Sequence, residues 1–465
     1  MECQENVLFS QRLKSEFGFE FERIGNDKLD IYLAKRNWWA HNLDTRDILI
    51  KNVVIGLNNY SAELIKNLTK ENIVKVYESD KFNPLIEQIK EFGAIVITKS
   101  FSEVVKEDSD IFKAKEIFIM DENDGLTLNY LSELIDSSTN NSYFENKPKI
   151  YVQIENRDNR LFFEKNGIFK LSDTNQDFDL VLISIDEIIA HRLFEKRCLT
   201  ENLIDKPNQD KSLQILIVGF NNLVEEIVYH ILKIGHFAEE EPICITIVDD
   251  NYEFLNSKYS DWKKIGLNPY NDDNPKQVLW KLNFVSKNSL YDYSFYVNEN
   301  KNFNFDRVII ADKNNDVSVN VLSYLNKRFY SILNKQKVII QLYNIHNFLN
   351  KTIDSNIDTF NLYYTFGAVE VICKPDLIRN SNMTKIAEIT NNYKEDLIKE
   401  PHKEWNKLDS FTRESNITEK QHMNIKLHYL GLKLNIDSKT LNFNNYEDIV
   451  KKYKEKIPNL PSDNV

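Results

Sequence analysis

One short pattern is written twice in this chain, and it constrains the fold more than any other feature. Residues 54–68 read VIGLNNYSAELIKNL and residues 217–231 read IVGFNNLVEEIVYHI. Gly56 matches Gly219, Asn58 and Asn59 match Asn221 and Asn222, and Glu63 matches Glu226. The offset is 163 residues (219 − 56), about one domain length. Each copy opens with a short apolar run, Ile215–Val218 in the second. It breaks at glycine, then resumes with apolar residues at helical spacing (Leu223, Ile227 and Ile231, with Val224, Val228 and Leu232 beside them). Strand, glycine turn and helix open a Rossmann-type unit, in which a helix N-terminus faces the ends of parallel strands and offers N–H groups to an anion. The duplicated pattern therefore predicts two tandem doubly wound α/β domains.

The rest of the chain fits that division. A lead-in covers residues 1–45 and contains the Trp38-Trp39 pair, read as packing against the first domain. Residues 46–205 alternate strand and helix patterns, with strands expected at Ile50–Ile55, Val74–Glu78, Ala94–Thr98, Glu116–Met120, Lys149–Ile154 and Phe178–Ile183. An amphipathic helix over Asp186–Leu199 closes the unit, and Leu203–Lys211 reads as a linker. Residues 206–375 repeat the plan, with strands expected at Ile215–Val218, Cys244–Val248, Leu282–Val285, Arg307–Ile310 and Lys337–Leu342, and Val369–Cys373 as the last strand. Residues 376–465 change to a small helical segment.

Candidate ligand residues follow from the fold. Glycine is scarce, 11 in 465 residues, so a glycine at a strand end carries weight. Gly56 and Gly219 permit the turn, and in the functional reading they also bring backbone N–H groups to a phosphate. The second and third glycines of G-x-G-x-x-G are missing from both copies. Asn58 and Asn221 stand at the second position, and an amide there can itself hydrogen-bond a phosphate. Glu78, and Asp249 with Asp250, end the second strand of each unit, where a carboxylate accepts hydrogen bonds from ribose hydroxyls. Asp121, Glu122, Asn123 and Asp124 follow the fourth strand of the first unit; Asp312, Asn314, Asn315 and Asp316 follow that of the second. They either face the ligand crevice or cap the helices over Leu126–Leu134 and Val317–Leu325.

Several classes are disfavoured. A net charge of −12 gives no broad nucleic-acid footprint. No segment approaches the ~20 apolar residues of a membrane span, and the N-terminus lacks a signal-peptide core, so the expectation is a cytoplasmic protein. The cysteines Cys3, Cys198, Cys244 and Cys373 have no zinc spacing and read as reduced thiols. The eight histidines show no metal-ligand pattern; His191 and His230 fall within helical patterns as packing or surface residues. No G-x-S-x-G elbow, Walker sequence or HExxH occurs, so no catalytic set is assigned.

The two units resemble the RCK, or TrkA-N, regulatory domains of potassium channels and Trk-type transporters. The resemblance covers roughly residues 48–373. It rests on V-V-I-G-L at 53–57, I-V-G-F at 217–220, Glu78, Asp249, and the segments IMDENDGLTLNYL and IADKNNDVSVNVL. It implies sensing of NAD(H) or another adenine nucleotide, and dimerisation through the Rossmann lobes. The tail resembles the ryanodine-receptor-type (RyR) segment of bacterial proteins that join it to TrkA-N domains. It shares Ile386-Ala387-Glu388, Tyr393, W-x-x-L at Trp405–Leu408, R-E-S-N at Arg413–Asn416, H-x-x-I-K-L at His422–Leu427 and Leu430-Gly431, with Glu419 and Gln421 departing from the pattern. This likeness implies a polar set, Arg413, Ser415, Asn416, His422 and Lys426 beside Trp405, able to contact an anionic ligand; the plainer reading takes Trp405, Leu408, Leu427 and Leu430 as the core of a small helical bundle.

Three functions stay open on the sequence. The first is a nucleotide-sensing regulator, a homodimer as the resemblance implies, whose crevice ligand shifts domain orientation for a protein partner. The second is a scaffold with degenerate Rossmann folds. The third is an NAD(P)-dependent oxidoreductase, for which neither a substrate domain nor an acid or base is found.

Overall fold

The computed structural model describes residues 51–140, 144, 147–166, 178–199, 212–235, 242–265, 280–312, 315–343, 363–379, 416, 418 and 419. The first half runs β1 (Asn52–Ile55), α1 (Asn59–Leu68), β2 (Val74–Tyr77), α2 (Ile86–Glu91), β3 (Ile95–Ile97), α3 (Phe101–Glu107), β4 (Glu116–Ile119), α4 (Asp124–Asn140), β5 (Lys149–Gln153), α5 (Arg157–Asn166), β6 (Asp179–Ile183) and α6 (Ile185–Lys196). The second half runs β7 (Gln214–Val218), α7 (Asn222–Ile234), β8 (Ile243–Asp249), α8 (Tyr252–Lys258), α9 (Ser260–Ile265), β9 (Trp280–Ser286), α10 (Tyr293–Tyr296), β10 (Arg307–Ile310), α11 (Asn315–Gln336), β11 (Ile339–Tyr343), β12 (Tyr363–Phe366), α12 (Val369–Ile372) and α13 (Pro375–Arg379).

The strands make two six-stranded sheets, ordered β3-β2-β1-β4-β5-β6 and β9-β8-β7-β10-β11-β12. All pairings within them are parallel. This is the doubly wound order, with the chain reversing direction between β1 and β4 and between β7 and β10. Ligand crevices in such sheets lie at the carboxyl ends of the strands flanking that reversal. The fold is thus α/β, two Rossmann-like parallel sheets in tandem.

Apolar runs on β1, β4, β7 and β10 suit strands covered on both faces. Their alternation builds three layers. Val53 and Ile55 join Ile117 and Ile119 in an outer core under α3 and α4. Leu216 and Val218 join Val308 and Ile310 in the corresponding outer core under α11. Val54, Phe118, Ile215, Ile217 and Ile309 all face one central core, shared by both halves. Into it α7 buries Leu223, Val224, Ile227, Val228 and Ile231, and α1 buries Leu64, Ile65 and Leu68. Helix α7 packs on α6 of the first half, and α1 packs on α12 and α13 of the second. Each glycine-loop helix therefore seats against the element that follows the last strand of the other half.

One sequence expectation is corrected. Val369–Ile372 is a helical turn, and the sixth strand of the second sheet is Tyr363–Phe366. Between them Gly367 has φ +77°, and a Cβ there would lie 2.4 Å from the Tyr343 ring. The chain turns at that glycine, so the β-branched run after it leaves the sheet. Among the described residues no helix is long and apolar enough to cross a membrane.

Candidate functional site

The first crevice is built at Gly56. Its φ is +88°, and a Cβ would stand 2.4 Å from the Met120 carbonyl oxygen at the end of β4. Both the left-handed backbone and the close approach to β4 exclude a side chain. Asn58 then caps α1. Its Oδ1 accepts the Tyr60 and Ser61 N–H groups at 2.9 Å each, and Ser61 Oγ accepts the Asn58 N–H at 2.8 Å. The amide nitrogen of Asn58 is buried without a hydrogen-bond partner. Asn59, the first residue of α1, is exposed.

Glu78, 7% exposed, ends β2. Its Oε1 accepts the Asp80 N–H at 2.7 Å, and its Oε2 accepts Asn83 Nδ2 at 3.1 Å. The same Asn83 nitrogen donates to the Leu57 carbonyl at 2.8 Å, so the β2 acid and the glycine loop are tied through one amide. Ser79 and Tyr130 hydroxyls meet at 3.5 Å beside it. Asp121, Asn123 and Asp124 serve local structure: Asp121 accepts the Asn123 N–H, Asn123 accepts those of Gly125 and Leu126, and Asp124 accepts those of Glu155 and Asn156. Glu122 is exposed.

The second crevice repeats this frame with different chemistry. Gly219 also has φ +88°, and a Cβ would lie 2.7 Å from Asp312 Cα. Asn221 caps α7 through the Val224 N–H at 3.1 Å and donates Nδ2 to the Ala311 carbonyl at 2.8 Å. Asn222 is half-buried at the first position of α7. Asp249 turns back on the loop, its Oδ2 accepting the Phe220 N–H at 3.0 Å and its Oδ1 the Asn251 N–H at 2.8 Å. Lys287 Nζ lies 3.1 Å from Asp312 and 3.3 Å from Asp250. Burial works against its charge, but Asp312 and then Asp250 hold the ammonium above its ordinary value. Asp316 is exposed, and Asn314 and the Asn315 side chain lie outside the described residues.

The helix after each glycine loop touches the opposite half. The Tyr60 hydroxyl lies 3.2 Å from that of Tyr343 on β11. On α7, Glu226 is 3% exposed and takes Arg160 Nη2 at 2.6 Å and Arg157 Nη1 at 3.3 Å from α5. Arg160 reaches Glu187 of α6 at 3.5 Å, and the Arg157 guanidinium stacks 3.0 Å above the Tyr229 ring. Beside them the His191 and His230 rings lie 4.7 Å apart, with Phe194 stacked on His230 at 5.5 Å. Burial pushes His230 well below its ordinary pKa, with His191 and Lys233 adding to the shift.

Of the sequence candidates, the structure places Gly56, Asn58 and Glu78 beyond the carboxyl ends of β1 and β2, and Gly219, Asn221, Asp249 and Asp250 at those of β7 and β8. Trp405, Arg413, Ser415, His422 and Lys426 lie outside the described residues, and Asn416 is buried. Sequence reasoning missed Tyr60, Asn83, Lys287 and the Arg157–Arg160–Glu226 group. Tyr60 adjoins the Asn-Asn pair, and Lys287 follows β9 directly, so their positions were readable once the strands were set. Among the described residues no group of three or more His, Cys, Asp or Glu side chains could hold a metal ion.

No protein-family model matches the chain, and no curated protein matches it. Among solved structures, the chain is similar to GsuK bound to ADP, at 11% identity and a TM-score of 0.41, over 81% of this chain and 89% of that one. It is similar to the GsuK channel bound to NAD at 8% identity and a TM-score of 0.41, over 83% and 79%. A dipicolinate synthase from Bacillus halodurans aligns at 11% identity and a TM-score of 0.25, over 76% and 100%. The strand order, rather than these distant likenesses, assigns the fold.

Proposed function

We propose that the chain is a nucleotide-sensing regulatory protein of the RCK type, in which a ligand at a Rossmann crevice changes how the two halves sit together. The observation that carries this reading is the link, in each half, between the strand-end acid and the glycine loop. Glu78 reaches Leu57 through Asn83, and Asp249 takes the Phe220 N–H directly. A ribose hydroxyl binding either carboxylate competes for these bonds and so disturbs the loop. That loop leads straight into a helix seated on the other half, through Tyr60 in one case and Glu226 in the other. A ligand with different affinity for the two arrangements shifts their populations.

The ligand class proposed is NAD(H) or another adenine nucleotide. A cytoplasmic setting, a homodimer, a protein partner that reads the shift and an RyR-like ligand segment at 376–465 belong to the same reading. Calorimetric titration with NAD, NADH, ATP, ADP and AMP tests it. Binding that is lost in Glu78→Ala or Asp249→Ala supports the reading and identifies the crevice.

A scaffold that binds no nucleotide is favoured by one observation. The side-chain oxygens of Asn58 and Asn221 already accept helix N-terminal N–H groups that a phosphate would use. Absence of binding by all five nucleotides to the folded protein supports that second reading.

A further inference from the structure

A lysine and an acid recur at matching places in the two halves, but only the second half joins them. The Gly56 N–H bonds the Tyr77 carbonyl and the Gly219 N–H bonds the Val248 carbonyl, so Tyr77 and Val248 are equivalent. The sheet registers pair Tyr77 with Ile97 and Val248 with Val285. Two residues further on stand Lys99 and Lys287. The Met120 and Ala311 N–H groups bond the carbonyls of Ile55 and Val218, the residues before each glycine, which makes Asp121 and Asp312 equivalent as well. In the first half Lys99 turns to Glu107 of α3 at 2.9 Å, and Asp121 accepts the Asn123 N–H. In the second half Lys287 Nζ lies 3.1 Å from Asp312 and 3.3 Å from Asp250, an acid that stands where the first half has Ser79.

That contact crosses the second crevice. Asp250 lies just past the end of β8 and Asp312 just past that of β10, and β7 runs between those strands. Strands two apart in a sheet are about 10 Å from each other. One ammonium that touches both acids therefore bridges the end of β7, where Gly219 turns into α7. The Asp312 backbone presses on the same turn, since a Cβ at Gly219 would lie 2.7 Å from Asp312 Cα. The phosphates of a nucleotide in a doubly wound crevice lie over this glycine turn. We propose that the Lys287–Asp312 contact is an autoinhibitory strap over the second crevice, in which Asp312 and a ligand phosphate compete for the same ammonium. A phosphate enters by displacing the acid from Lys287. This rests on the reading that the crevices take a phosphate-bearing nucleotide. In the first half Lys99 is held by Glu107 instead, so the two crevices of one chain take the same ligand with different affinity.

The test is calorimetric titration of the full chain with ADP. Asp312→Asn keeps the side chain's shape and removes its charge, and it should tighten ADP binding by about tenfold, the value of one charge-assisted hydrogen bond. Adding Lys287→Met to the same chain should abolish the gain. Asp121→Asn removes the equivalent charge from the half without a strap and should give no such gain. Asp250→Asn, at the exposed end of the strap, should give a smaller gain in the same direction, and it decides the matter if Asp312→Asn does not fold. No gain in Asp312→Asn, an equal gain in Asp121→Asn, or a gain that survives Lys287→Met overturns the proposal. ADP binding by the wild type that is lost in Glu78→Ala, with no gain in Asp312→Asn, overturns the strap and leaves the nucleotide reading standing. Binding that is absent from the wild type and present in Asp312→Asn supports the strap and counts against a nucleotide ligand for the unaltered chain.

Discussion

The hydroxyl of Tyr60 stands 3.2 Å from that of Tyr343, joining the first turn of α1 to the end of β11 in the other half. Burial, more than the neighbouring charges, pushes both phenols above their ordinary pKa, so both are neutral and the contact is one hydrogen bond. Tyr60→Phe and Tyr343→Phe should each cost about 1 kcal/mol in urea unfolding. The double variant should cost less than the sum, because either single change removes the shared bond. Full additivity contradicts the contact.

Gly56→Ala and Gly219→Ala should both destabilise, by about 3 kcal/mol, from a left-handed backbone and a Cβ driven into the neighbouring strand. Gly93 also has a positive φ, but a Cβ there meets nothing within 4 Å. Gly93→Ala should therefore cost less, about 1 kcal/mol. Equal losses at all three sites in chemical denaturation would show that the approach to β4 and β10 is not what selects glycine.

Glu63 and Glu226 are the same position in the repeat, yet their surroundings differ. Glu63 pairs with Lys66 one turn along α1, whereas Glu226 is buried against Arg160 and Arg157 of the other half. Glu226→Ala leaves Arg160 buried without its closest partner and should cost about 3–5 kcal/mol. Glu63→Ala should cost no more than about 1 kcal/mol. Urea midpoints of the two variants check the ranking.

Acid should loosen the interface between α6 and α7. His230 has a folded pKa below its unfolded value of about 6.5, so the unfolded chain takes up the proton first. Its contribution is complete above about pH 6.5 and declines as pH falls through that value toward the folded pKa. His230→Phe removes the titrating group, so the stability of wild type relative to this variant should fall by up to about 1.4 kcal/mol per pH unit below that point. A difference that does not change with pH contradicts the buried neutral imidazole.

Much of the fold was legible because it rests on local pattern. The apolar runs before Gly56 and Gly219, and the helical spacing after them, are consequences of strands covered on both faces and helices seated on a sheet. Val369–Cys373 misled because Val-Glu-Val-Ile reads as a strand, while the turn at Gly367 is set by the Tyr343 ring from another strand. The strand-end positions of Glu78 and Asp249 were legible, but their hydrogen bonds were not. Asp249 spends one oxygen on the Phe220 N–H, a choice made by loop geometry. The Arg160–Glu226 pair spans 66 residues and two halves, and no local periodicity records a contact that only the packing of α5, α6 and α7 creates.

The most direct measurement is thermal stability of the full chain against millimolar NAD, NADH, ATP, ADP and AMP, with Glu78→Ala and Asp249→Ala run in parallel. At ~100 times its Kd a ligand adds about 2.7 kcal/mol to the folded state. Stabilisation by at least one adenine nucleotide, abolished in one of the two variants, is the expected result. No stabilisation by any of the five, in a protein that unfolds cooperatively, contradicts it.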